Sequence, residues 1–206
     1  MREIDLDELV DTLAARGEAS RHVTAIAGPP GAGKSFIADR VTDALNERKP
    51  GSAAVFPMDG YHYDDAILNA RGWRPRKGAP HTFDVAGFAA MLSRLRSNTE
   101  DQVAVPVFDR EIEIARSSAR FIPRDVRHLI VEGNYLLLDA TPWTDLQFDT
   151  TVFLDVPMDE LQRRLEDRWR AFQGAELIAK MEENDLPNAR LVVEQSRPAE
   201  FVLQNL

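Results

Sequence analysis

The 206-residue sequence contains no cysteine. That absence excludes a disulfide framework, a thiolate metal site and a cysteine nucleophile, and it fits a reducing cytoplasm. Long apolar runs are also missing: none approaches the roughly 18 residues of a membrane span. The first 18 residues, MREIDLDELVDTLAARGE, are charged throughout and have no apolar core, so no signal peptide is expected. Positive charge is in deficit, with 25 Lys and Arg against 34 Asp and Glu and a formal net charge of −9. A chain of that balance lacks the broad positive field that draws nucleic acid or anionic membranes, so neither is an expected partner. It would also repel an anionic substrate, unless its cations are concentrated in one place. Repeats and low-complexity tracts are absent. What remains is ordinary for a globular protein, 44% hydrophobic and 29% charged, and the length suits one domain over residues 1–206.

Strand and helix patterns alternate along the chain. Leu6, Leu9, Val10 and Leu13 predict an amphipathic helix stopped at Gly17. A strand is expected at Val23–Ala27, a helix from Lys34 with Ile37, Val41 and Leu45 on one face, and a strand at Ala53–Phe56. Residues 60–82 read as a long functional loop with a short helix inside it. Asp84 is placed to cap a helix carrying Val85, Phe88, Leu92 and Leu95. Further strands are expected at Val103–Phe108, interrupted by Pro106, at His128–Glu132 and at Thr151–Leu154. A helix over Met158–Phe172 puts Leu161, Leu165, Trp169 and Phe172 on one face, among Arg163, Arg164, Arg168 and Arg170. The apolar end, Phe201–Leu206, reads as a last strand or as an interface in a homodimer. Alternation of this kind predicts an α/β fold with a mostly parallel sheet covered on both faces, and ligands at the carboxyl ends of its strands.

Three polar sites lie at such ends. The first, Gly28-Pro29-Pro30-Gly31-Ala32-Gly33-Lys34-Ser35, matches G-x-x-x-x-G-K-[ST] between a predicted strand and a predicted helix. Glycines let successive N–H groups turn inward on an anion, and the helix start adds its positive dipole end. Pro29 and Pro30 have no N–H, so the cradle falls to the amides from Gly31 to Ser35, with Phe36 following. Lys34 is expected on the β- and γ-phosphates of ATP, and the Ser35 hydroxyl on Mg²⁺. Glu132 ends an apolar strand in Leu129-Ile130-Val131-Glu132-Gly133 and can hold the same metal. Asp59 ends the second strand. Across the cleft from a γ-phosphate, it can accept the proton of a substrate hydroxyl, with His62 near the same substrate. A GTPase would need N-K-x-D, which the sequence lacks; Asp84-Val85-Ala86-Gly87 is read as a helix cap and not as a switch.

The order GPPGAGKS, MDGYHYDDAIL, RGWRPRKGAPHTFD, PVFDR and LIVEGNYLLL resembles the phosphoribulokinase/uridine kinase family of P-loop kinases. It is most similar to compact bacterial fructokinase-like kinases, with pantothenate kinase-like motifs. The resemblance implies a three-layer α/β/α sandwich on a five-stranded parallel sheet in order 2-3-1-4-5, with a small lid. It implies a nucleotide lid at 160–185 whose Arg164 and Arg168 reach the nucleotide, with catalysis by Asp59, Lys34 and Arg168. The acceptor site would draw on Asp59, Tyr61, His62, Arg76, Lys77, Asp109, Arg110 and Tyr135. Uridine kinases place an aromatic and His constellation where this chain has Arg110, Glu111 and Glu113, which suggests a polar acceptor. The expected activity is transfer of the ATP γ-phosphate to a hydroxyl of a small molecule. A sugar such as fructose is the first choice, and pantothenate-like acids or nucleosides are the alternatives. In a contrasting reading, the protein binds ATP as a regulator and transfers nothing.

Overall fold

Leu129, Ile130 and Val131 are apolar on both faces of their strand, so that strand must be covered from both sides. In the computed structural model, which describes residues 1–17 and 20–205, that strand is buried along its whole length. The chain begins with strand β1 (Arg2–Glu3), helix α1 (Leu6–Arg16), β2 (His22–Ala27), α2 (Lys34–Arg48) and β3 (Ala53–Pro57). After a 3₁₀ turn at Met58–Tyr61 come α3 (Asp65–Ala70), α4 (Val85–Ser97), β4 (Gln102–Asp109) and β5 (Ile114–Pro123). Then follow β6 (His128–Gly133), β7 (Thr150–Asp155), α5 (Met158–Arg168), α6 (Gly174–Lys180), a π-helical turn (Met181–Asp185), α7 (Leu186–Gln195) and β8 (Phe201–Gln204).

The main sheet runs β3-β6-β2-β7-β8-β1, all parallel. Without β1 this is the expected five-stranded 2-3-1-4-5 order; the short β1 adds a sixth strand at the edge. Alternate residues divide the core. Val23, Ala25, Leu129 and Val131 meet Phe88, Leu92, Leu95 and Val192 on one face, whereas Ile26, Ile130 and Val152 meet Leu9, Leu13, Ile37 and Val41 on the other. The apolar C-terminal segment is a strand, Phe201–Gln204 paired with β7, as one of its two readings expected. Leu206 lies outside the described residues, as does Glu18 at the end of the N-terminal segment.

Two expectations need correction. Val103–Phe108 is a strand, but not of the main sheet. It pairs antiparallel with β5, which has no period-2 pattern and is almost wholly exposed, so no strand signal is readable there. The register shift lies between Val105 and Val107, at Pro106, which cannot donate to a ladder. The helix expected to reach Phe172 ends at Arg168. Beyond it, Trp169 and Phe172 stack edge to face, with Lys180 Nζ 4.1 and 4.6 Å from the two ring centres. Trp169 Nε1 donates to Asp185 Oδ2 at 2.8 Å. Leu165, Met181 and Leu186 form a separate small apolar cluster, with Trp169 and Leu177 packed against it.

Asp84 caps α4 as read: its carboxylate accepts the Gly87 N–H at 2.9 Å. Replacing it with alanine leaves that donor unpaired, so Asp84→Ala lowers stability by about 1 kcal/mol in urea denaturation.

Candidate active site

The P-loop, Asp59 and Glu132 meet at the carboxyl end of the sheet around one cleft of about 700 Å³. Strand–helix continuity places them. The backbone leaves β2 and bends at Gly31 and Gly33, both with φ near +84°, before entering α2. The first helical bond runs from Ile37 N to Gly33 O, so the amides of Lys34, Ser35 and Phe36 are uncommitted in the first turn. Gly31, Gly33, Lys34, Ser35 and Phe36 line the cleft. Gly28 and Ala32 do not. Gly28 lies against Leu154, and the Ala32 N–H donates to Pro29 O inside the loop, so both shape the cradle from behind.

Lys34 is 8% exposed and its ammonium donates to Pro29 O at 2.9 Å. Burial pulls its pKa down, against the opposing pull of Glu132 and Asp59. Glu132, 6% exposed at the end of β6, has its pKa raised by burial and then by the negative charge of Asp59. The neighbouring Ser35 hydroxyl offsets a small part of that rise. A buried carboxylate held above its ordinary range beside a second carboxylate and a hydroxyl is a set of hard oxygen donors short of positive charge, which fits Mg²⁺. A buried lysine held below its ordinary range fits a polyphosphate.

Asp59 sits in the 3₁₀ turn after β3. Gly60 makes that turn possible: a Cβ there would come within 2.6 Å of the Pro106 carbonyl. Arg110 Nη2 donates to Asp59 Oδ2 at 2.9 Å. His62 Nδ1 is 2.8 Å from the Asp59 carbonyl oxygen and must donate to it, which leaves Nε2 as the acceptor of the neutral ring. Burial lowers the His62 pKa, and its ring is packed between Phe83 and Phe108.

Of the acceptor residues expected from the sequence, Asp59, His62, Lys77 and Arg110 line the cleft. Four do not. Tyr61 packs against Phe56 and Phe88 in the core, because its ring side is apolar. Tyr135 is fully buried and its hydroxyl donates to Gly78 O at 2.6 Å, so it holds the loop that carries Lys77. Asp109 turns outward along β4 to Arg116 and to the Glu111 N–H. Arg76 does not itself line the cleft, but donates to Asn188, which does. In the basic loop, Lys77 and Arg74 share Asp65 and both line the cleft, whereas Arg71 lies over the rings of Tyr63 and Trp73.

Helical spacing sorts the lid arginines. Arg163 and Arg164 both bind Glu160 one turn back, and Arg164, which also donates to Asn205 O, does not line the cleft. Arg168 lines the cleft, with Nη1 3.9 Å from Asp185. The cleft also takes in Asn134, Phe108, Lys180 and Asn184, which were not singled out as site residues. Asn134 directly follows the Glu132-Gly133 strand end, a readable signal; Lys180 had none, because α6 brings it to the cleft from far along the chain.

No protein-family model matches the chain. It is 33% identical over 190 residues to the uncharacterised protein YggC of Escherichia coli K12, covering 89% of this chain and 78% of that one. Over 198 residues it is 31% identical to a proposed uridine kinase of Schizosaccharomyces pombe, covering 90% of this chain and 84% of that one. The chain belongs to the uridine kinase-like family of P-loop kinases. The crystal structure of a proposed fructose transport system kinase from Silicibacter sp. TM1040 superposes on this kinase with a TM-score of 0.88 and 37% identity, covering 97% of this chain and 98% of that one. A pantothenate kinase of Yersinia enterocolitica is 30% identical over 79% of this kinase, which spans about half (54%) of its length. This P-loop kinase is an ATP-dependent enzyme acting on a small molecule.

Proposed function

We propose that this kinase transfers the γ-phosphate of ATP to a hydroxyl of a sugar such as fructose. The convergence of Asp59, Lys34 and the Ser35–Glu132 pair on one cleft carries this reading. The P-loop amides and Lys34 hold the β- and γ-phosphates. Ser35 and Glu132 would hold Mg²⁺, which neutralises phosphate charge when bound. Asp59 takes the proton of the acceptor hydroxyl as its oxygen bonds to the γ-phosphorus. The bond from that phosphorus to the bridging β,γ-oxygen breaks and ADP leaves, with Lys34 and Arg168 facing the charge that moves onto it. Residues 60–82 form the acceptor region and 160–185 the nucleotide lid, which excludes water that would otherwise hydrolyse ATP.

A polar acceptor is favoured by the surroundings of Phe108, the aromatic residue of the cleft nearest Lys77 and Arg110. Lys77 Nζ and Arg110 Cζ lie 5.6 and 6.0 Å from its ring centre, so cations already flank this ring. The name of the Silicibacter relative agrees with a sugar. A screen with labelled ATP over fructose, uridine and pantothenate tests it. Label transfer to fructose in preference to the other two is expected. Preference for uridine or pantothenate overturns the sugar, and ATP binding with no transfer to any hydroxyl compound favours a regulatory protein.

A further inference from the structure

A second pocket lies at the other end of the sheet. Strand β6 runs from His128 at this pocket to Glu132 in the cleft, and α2 runs from Lys34 in the cleft to Arg48 here. The pocket holds about 240 Å³ and is lined by Arg48, Lys49, Arg127, His128, Ser52 and Gly17, among others. None of its described lining residues is acidic, in a chain with nine more acids than bases.

Cations near helix ends usually answer the negative end of the dipole, and α1 and α2 both terminate here. That accounts for Arg48, which also binds Asp11, and for Lys49. It does not account for Arg127 or His128, which belong to no helix. The His128 ring is 7% exposed, is pressed against Gly17, and its Nδ1 has no hydrogen-bond partner among the described residues. A buried ring nitrogen without a partner is costly unless something completes it. The charges acting on the neighbourhood point the same way. Those acting on His128 are His22 and Lys49, and the one acting on nearby Arg21 is Arg127, with no carboxylate in either set.

We propose that this pocket is a binding site for a compact oxyanion, a phosphate group, held by Lys49 and Arg127 with His128 at its floor. Its volume admits a phosphate or a small phosphate monoester, and the ring can donate from Nδ1 to a phosphate oxygen. Free phosphate and the phosphate of a small ester share this chemistry.

The P-loop binds phosphate too, so the test keeps the cleft filled with a non-hydrolysable ATP analogue and Mg²⁺. Inorganic phosphate, and separately glycerol 3-phosphate, are titrated at constant ionic strength while the His128 imidazole resonances are followed by NMR. Saturable shifts of His128 are expected, and the tighter of the two probes identifies the source. In a Lys49→Gln, Arg127→Gln variant the affinity falls by at least about tenfold, because two charge-assisted contacts are lost. The variant's nucleotide binding, measured in parallel, stays unchanged and reports that it is folded. Absence of saturable His128 shifts, or shifts of equal affinity in the variant, overturns the site. Neither result bears on the kinase activity of the cleft.

Discussion

Asp59→Asn lowers turnover by at least about 100-fold while leaving ATP affinity largely intact, as loss of general-base catalysis requires. The substitution is nearly isosteric and keeps the 3₁₀ turn, whose His62 contact runs through the backbone carbonyl of residue 59. It removes the carboxylate that would take the acceptor's proton, and it releases Arg110 from its ion pair. Steady-state kinetics with whichever acceptor the screen identifies, alongside nucleotide-binding calorimetry, measure both halves of the prediction. A variant retaining more than a tenth of the turnover sinks the assignment of Asp59 as base. If turnover and nucleotide affinity fall together, Asp59 serves the phosphates and not the acceptor. A regulatory protein that only binds ATP would keep its role in this variant.

Lys34→Ala is expected to cost about 10²–10³-fold in kcat/KM, the scale on which one preorganised donor to developing charge contributes. Unlike Asp59→Asn, it should also weaken ATP binding, because the ammonium faces the phosphates before transfer as well as during it. The physical basis is the burial of Lys34: a charge with little water around it acts through a low dielectric, so its attraction to phosphate is strong. The same burial holds its pKa below the usual lysine range, and a bound polyphosphate reverses that shift. Circular dichroism should show an unchanged fold, since the loop is held by its own backbone bonds, Ala32 N to Pro29 O among them. If kcat/KM stays within a factor of about ten, Lys34 does not carry phosphate charge.

The negative net charge posed a problem for a phosphate-binding enzyme, and the structure answers it by placement. Lys34, Arg74, Lys77, Arg110, Arg168 and Lys180 all line the cleft. Asp59, Glu113, Glu132, Glu176 and Asp185 line it as well, so the cleft itself is close to neutral without ligand. Arg163, Arg164 and Arg170 of the same Arg-rich segment are bound to Glu160 or Asp167 on the helix surface. A run of basic residues therefore says little about a site until the helix phase is known. One arginine of the four points into the cleft, and the neighbouring acids take the rest.

The sequence alone was enough for the P-loop, Asp59 and Glu132, because each is a local rule: a loop chemistry, or a carboxylate ending an apolar strand. It was also enough for β2, β3, β6 and β7 of the main sheet, whose apolar runs have no other use, and for the Asp84 cap, which acts over three residues. Only the tertiary structure decided which of Tyr61, Tyr135, Asp109, Arg76 and Arg164 reach the cleft, and none of them does. Each lies near a functional element in sequence, but side-chain direction depends on what packs on the far side of that element. The exposed strand β5 stayed hidden for a related reason. Its residues carry no burial pattern, and what pairs it to β4 is backbone hydrogen bonding, which side-chain periodicity does not record.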